Sequence, residues 1–216
     1  MTAHRIACLV LLMLALAPAA LAAGPTREEA LAALADKADA ESRRRGAQAL
    51  AETGVMADVP RLAAALRDTD PVVRAFAESA MWQVWSRSGD ATVDRLFSEG
   101  VAQMNAQQGE QAVDTFSEII RRRPEFAEGW NKRATVYYLL GDYKKSLADC
   151  DEVMKRNPYH FGALSGYGLI YLQLDQPAKA LDYFERALAV NPNLESTRQT
   201  IEMLRTLLIQ RRKDTI

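Results

Sequence analysis

The sequence predicts an all-α protein, an α-solenoid of stacked helical hairpins, and three observations predict it. Pro124, Pro158 and Pro192 stand at equal intervals along the chain. The same three places ahead of each proline keep their character: Ala112, Ser146 and Ala180 are small, Phe116, Cys150 and Phe184 are bulky or apolar, and Ile119, Val153 and Ala187 are apolar. A slightly shorter period runs through the N-terminal third, where Asp39, Arg43, Gly46, Ala49 and Leu50 recur in register as Asp70, Arg74, Ala77, Ala80 and Met81. Fixed periods of this length mark chains that stack one supersecondary unit on the next.

The first element in order is residues 1–23. Met1 to Arg5 carries positive charge, Ile6 to Ala17 is an unbroken apolar run, and Pro18 breaks it before Ala20-Leu21-Ala22. This is the pattern of a cleaved secretory signal peptide, with cleavage after Ala22 or Ala23. A retained membrane anchor is the alternative, since Ile6 to Ala23 just reaches the length of a spanning helix, but the proline and the small-residue end argue against it. The mature protein is therefore expected to be exported, periplasmic or secreted. Cys150 is then its only cysteine, so no intramolecular disulfide is available and packing alone must hold the fold.

Residues 25–92 come next. "DVPRLAAALRDTDPVVR" places Asp70 as an N-cap and Pro71 in a first helical turn. The stretch resembles a short HEAT-type repeat, in which a Val-Pro-x-Leu helix is followed by Asp-Pro-x-Val-Arg opening the next helix. "VPRL" at Val59 to Leu62 is echoed by "VDRL" at Val93 to Leu96. The helix beginning there is expected to complete the second of these hairpins, giving one continuous solenoid. No Pro/Gly/Ser-rich linker divides the halves.

Residues 93–193 hold the three proline-ended units, bounded at 93–126, 127–160 and 161–193. In the middle unit Trp130, Ala134, Tyr137 and Tyr138 recur at helical spacing, Gly141-Asp142 is a turn signal, and Ser146, Cys150, Val153 and Met154 form the next helical face. Asn157-Pro158 ends that helix, because proline disfavours helical backbone at the residue before it. These residues resemble the tetratricopeptide repeat family: Trp130, Ala134, Tyr137, Gly141, Ser146, Val153 and Pro158 take its signature places, as do Leu164, Gly168, Tyr171, Ala180, Phe184, Ala187 and Pro192. The first unit keeps Leu96, Gly100, Ala112, Phe116 and Pro124 but has Gln103 at the tyrosine place and Gln107 at the turn glycine. Residues 194–216 follow as a capping helix and tail, with Ile201, Leu204, Leu207 and Leu208 at helical spacing and Arg211, Arg212 and Lys213 near its end. The resemblance implies a right-handed superhelix whose first helices line a concave face.

Composition narrows the function. The chain has 216 residues, 49% hydrophobic and 25% charged, and removing residues 1–23 takes away one arginine and no acid, so the net charge of −1 becomes −2. Nucleic-acid binding is not expected, since it needs a basic excess. The runs Arg43 to Arg45 and Arg121 to Arg123 read as solvated helix faces, the second in a last turn where cations are favoured. Cys150 falls at a repeat core position, and His160, just after the Asn-Pro turn, reads as a surface loop residue. One histidine and one cysteine do not supply the converging ligands a metal needs. Gly162, Gly166 and Gly168 lie in an apolar helix and read as close-packing positions, and Asp149 and Asp151 lie on different helix faces. No enzyme, cofactor, metal or small-molecule substrate is expected, and no membrane association beyond the cleaved segment.

What remains is the concave face that the resemblance implies. Its inward positions are Phe97, Val101, Met104 and Asn105 in the first unit, Asn131, Thr135, Tyr138 and Leu139 in the second, and Ser165, Leu169, Leu172 and Gln173 in the third. A subset of the family clamps a peptide carboxylate with Lys, Asn and Arg. The equivalent places here hold Phe97, Val101, Lys132, Gly162 and Gly166, and four of the five depart from that clamp. The expectation is a groove, apolar with scattered amides, for a helix or extended apolar segment of a protein client. Another part of this chain or a second copy could fill it instead. The function expected is thus an exported, non-enzymatic scaffold or assembly and maturation adaptor, with a structural homo-oligomer as the alternative.

Overall fold

A computed structural model describes residues 24–214, and the segment read as a signal peptide lies outside the described residues. Eleven α-helices follow in chain order: α1 (Arg27–Leu34), α2 (Ala40–Thr53), α3 (Val59–Ala65), α4 (Pro71–Trp85), α5 (Ala91–Asn105), α6 (Gly109–Arg122), α7 (Ala127–Leu139), α8 (Tyr143–Arg156), α9 (Phe161–Gln173), α10 (Pro177–Val190) and α11 (Glu195–Asp214). Among the described residues there is no strand. Successive helices pack as hairpins, α1 on α2 through α9 on α10, and α11 lies against α10. None of these helices is long and apolar enough to cross a membrane.

The caps explain where the N-terminal helices start. Asp39 accepts from the N–H groups of Glu41 and Ser42, and Asp70 from those of Val72 and Val73, so the N-terminal echo is an echo of N-caps. Arg43 and Arg44 form ion pairs with Asp68 and Asp70, tying α2 to the start of α4. Arg44 and the two N–H groups of α4 hold the Asp70 carboxyl far below the usual carboxylate range. At the other end of α4, Arg87 donates to the carbonyls of Ala51 and Gly54 and closes the C-terminus of α2. Both basic runs are thus occupied within the fold, since Arg121 and Arg122 pair with Glu118 and Arg123 with Glu125.

In the three C-terminal hairpins the small residues do what their spacing implies. Ala112, Ser146 and Ala180 are buried where the two helices of each hairpin cross. One position of the first helix and one of the second compensate each other in volume. Gly100 faces Phe116 and Gly168 faces Phe184, where an added Cβ would lie 2.8 Å and 2.6 Å from the rings. Ala134 shares its core with the smaller Cys150 in the middle unit. Burial pushes the Cys150 thiol up to about 12, so it is a neutral core group.

The hairpin turns agree more closely than their residues do. Gln107, Gly141 and Asp175 all adopt the left-handed backbone, with φ of 60°, 77° and 52°. At each, the next residue's N–H reaches back past the ordinary helical acceptor, from Gln108 to Gln103, Asp142 to Tyr137 and Gln176 to Tyr171. That is one C-terminal motif used three times, with glycine in only one of them.

One expectation is replaced. α5 does not complete the second N-terminal hairpin, because Val93, Leu96 and Phe97 belong to the core of the first proline-ended unit. The core formed by α1 to α4 is closed instead by Phe161, Tyr159, Val190 and Leu194, far away in sequence. Trp82 and Trp85 of α4 meet His160 and Phe161 at the start of α9, with ring centroids 4.5–5.5 Å apart. Arg67 donates to the carbonyls of Ala189 and Val190 at the end of α10, and Asn193 donates to the carbonyl of Leu66. The link into α5 is nonetheless tight, since Ser88 is buried and donates to Asp94.

Candidate functional site

α7 and α9 are the first helices of adjacent hairpins, and their facing sides leave an open cleft of about 170 Å³. Asn131, Thr135 and Tyr138 line it from α7, and Gly162, Ser165, Gly166 and Leu169 from α9. Ser146 and Cys150 of α8 contribute to its floor, and no charged side chain lines it. Thr135 is exposed and donates to the carbonyl of Asn131, while the Tyr138 hydroxyl lies 3.5 Å from the Gln173 amide. Leu169 is 44% exposed at the rim.

Of the groove residues expected from sequence, Asn131, Thr135 and Tyr138 are brought together here, with Gln173 beside Tyr138. Phe97, Val101 and Met104 are not a solvent-facing stripe. They are half-buried against the core of the first unit, Phe97 packing edge-on to Phe116 and Phe126. Phe126, the N-cap residue of α7, folds over them. Leu172 is half-buried against the Ala180–Phe184 cluster. Met104 and Asn105 line a separate depression with Leu139 and Leu140, the last two 65% and 54% exposed.

Sequence reasoning missed Gly166. An added Cβ there would meet only the Cys150 sulfur, at 3.8 Å, so this glycine opens the cleft rather than permitting a close contact. Gly162 and Gly168 do pack closely, against Trp82 and Phe184. Trp82 of α4 therefore packs against Gly162, one of the two glycines that line the cleft.

The largest departure from expectation lies at the start of α9. His160 is not a surface residue: it is fully buried, as is Glu128, and the two are 2.7 Å apart. The Ala163 N–H donates to His160 Nδ1, so Nδ1 carries no proton and Nε2–H donates to the Glu128 carboxylate. Asn131 donates to the other oxygen, and Lys132 lies 3.9 Å from it. Burial would raise the Glu128 pKa, but the His160 hydrogen bond, with Lys132 and Asn131, outweighs it and holds the carboxyl below its usual value. Asn131 is consequently a supporting group for Glu128 and only one edge of the cleft. No group of three or more His, Cys, Asp or Glu side chains is placed to hold a metal ion among the described residues.

Fold and cleft together define a helical-hairpin repeat protein with an uncharged recess between successive first helices. A family model described as tetratricopeptide repeat matches residues 125–193. The chain is 31% identical over 138 residues to a TPR repeat-containing protein of Rhizobium etli, covering 64% of this chain and 68% of that protein. It is 26% identical over 118 residues to a small glutamine-rich tetratricopeptide repeat-containing protein of Dictyostelium discoideum, over 54% of this chain and 35% of that one. The chain belongs to the tetratricopeptide repeat family. Among solved structures, the first TPR of Spaghetti (RPAP3) bound to an HSP90 peptide superposes with a TM-score of 0.53 at 20% identity, over 56% of this chain and 96% of that one. That likeness shows the shared fold.

Proposed function

We propose that this protein is an exported, non-enzymatic scaffold or adaptor, which seats one large apolar side chain of a protein or peptide client in the α7–α9 cleft. The observation that carries this reading is the cleft itself: uncharged, with a recess of about 170 Å³ and exposed Leu169 at its rim. Its lack of cationic lining at Gly162 and Gly166 fits an internal apolar segment rather than a terminal carboxylate. The peptide-bound TPR of Spaghetti supports the same use of the fold. In this reading α1 to α4 are HEAT-like hairpins that brace the cleft.

Filling the recess tests the reading. Gly166→Leu adds a side chain where only the Cys150 sulfur is near, and it replaces a helix-interior glycine, so stability should hold or rise. Peptides selected on the native protein should share one large apolar anchor and bind the variant at least about thirtyfold more weakly, the loss of roughly 2 kcal/mol typical of an anchor. Lys144→Ala with Lys145→Ala, exposed on α8, should bind them normally. Equal binding by Gly166→Leu would remove the cleft as the site.

Export rests on the charged start, apolar run and small-residue end of residues 1–23. Protein purified from its host should begin at Ala23 or Gly24, and a chain beginning at Met1 in the membrane fraction would refute export. The alternative, a homo-oligomer without a client, draws on Met203 and Ile209, 65% and 57% exposed on α11. Light scattering separates the two, since a mass that stays monomeric across concentration excludes the oligomer.

A further inference from the structure

The N-terminal hairpins carry a second cleft, unrelated to the one between α7 and α9. Their first helices, α1 and α3, are pinned together at one end, where Arg27 donates to the buried Asp58 just before α3. Toward the other end a cleft of about 790 Å³ lies between them. Its walls are apolar: half-buried Leu31 and Leu34, one turn apart on α1, face Ala64 and Ala65 of α3. Its edges are cationic. Lys37, Arg43, Arg61 and Arg67 line it against a single carboxylate, Asp68. Asp68 is already held by Nε and Nη2 of Arg43 at 2.7 and 2.9 Å. Among the described residues Lys37, Arg61 and Arg67 make no salt bridge, and all three are exposed. Arg67 spends its donors on carbonyls, which leaves its charge uncompensated by any acid.

We infer that this cleft docks an acidic amphipathic helix of a partner protein. The apolar side chains of that helix lie on Leu31, Leu34 and the two alanines, and its carboxylates meet Lys37 and Arg61. The charge selects the partner: one acid against four cations in the lining gives an anionic segment a favourable field and rejects a basic one. The shape selects the form, because two helices that meet at one end and are separated at the other leave a groove for a third helix. The overall charge of −1 makes this local basic excess a feature of the cleft rather than of the whole surface.

The probes are two synthetic amphipathic peptides, one with leucine at helical spacing and glutamate elsewhere, the other with lysine replacing every glutamate. Fluorescence anisotropy is read against the full mature chain and against its Lys37→Glu, Arg61→Glu double variant. The glutamate peptide is expected to bind the native protein, weaken with added salt and lose about tenfold or more in affinity for the variant. The lysine peptide is expected to show the reverse preference, and its gain on the variant also demonstrates that the variant is folded. Equal affinity of the glutamate peptide for both proteins overturns the inference, as does its failure to bind the native chain.

Discussion

His160→Ala is expected to destabilise the folded protein by about 3–5 kcal/mol, the cost of leaving a buried charge without its partner. Glu128 is fully buried, and the imidazole Nε2–H is the closest donor to its carboxylate, at 2.7 Å. The same substitution removes the N-cap acceptor for the Ala163 N–H and the ring stacked on Trp85 at 4.5 Å. Glu128→Gln keeps the shape and neutralises the charge, so it should cost much less. The pH dependence follows from the depressed Glu128 pKa. Its contribution is fully present above the unfolded value near 4.5 and is lost as pH falls through the lower folded value. Glu128→Gln should therefore flatten this part of the acid limb of the stability curve while the native protein retains it. Urea midpoints across pH 3 to 7, a span of about four units chosen to bracket ordinary carboxylate titration, provide both readings. A His160→Ala midpoint within about 1 kcal/mol of native would show that the pair contributes little.

The same residues show what could be read from the chain beforehand. The proline period located the hairpins and their crossing points because those depend on residue size at fixed spacing. It also holds a signal for His160, whose equivalents one repeat before and one repeat after are Phe126, buried, and Leu194, half-buried. The position is a core position, and a surface-loop reading overlooks its period. The turns at Gln107 and Asp175 were less readable, since only Gly141 carries the glycine that advertises a left-handed backbone. The groove was read from the inward positions of the family, and that geometry puts Thr135 and Tyr138 on the cleft but cannot say that Phe126 folds over Phe97. No local pattern encodes the contact of Trp82 and Trp85 with His160 and Phe161, far along the chain, because it depends on how successive hairpins stack.

Trp85→Ala tests whether that contact couples the two halves of the molecule. Trp85 is 2% exposed, stacked on His160 and tilted against Phe161 at 5.2 Å, so its removal should cost about 3–5 kcal/mol. Its indole nitrogen has no hydrogen-bond partner among the described residues, so Trp85→Phe sacrifices no hydrogen bond and should cost less than half as much. The loss should also be uneven. Arg67 to the end of α10, Asn193 to Leu66 and Arg123 to the Ser88 carbonyl are polar contacts that remain between the N-terminal hairpins and the repeats, and each lies at the surface or partly so. Hydrogen exchange in Trp85→Ala should accelerate across α2 and α4 more than across α8 and α10, because the N-terminal core then has lost its cover. His160 stacks on the same ring, so the Trp85→Ala and His160→Ala effects should fall short of adding by about 0.5–3 kcal/mol in a double-mutant cycle. Additive effects together with uniform exchange would mean that the two halves are not coupled through this cluster.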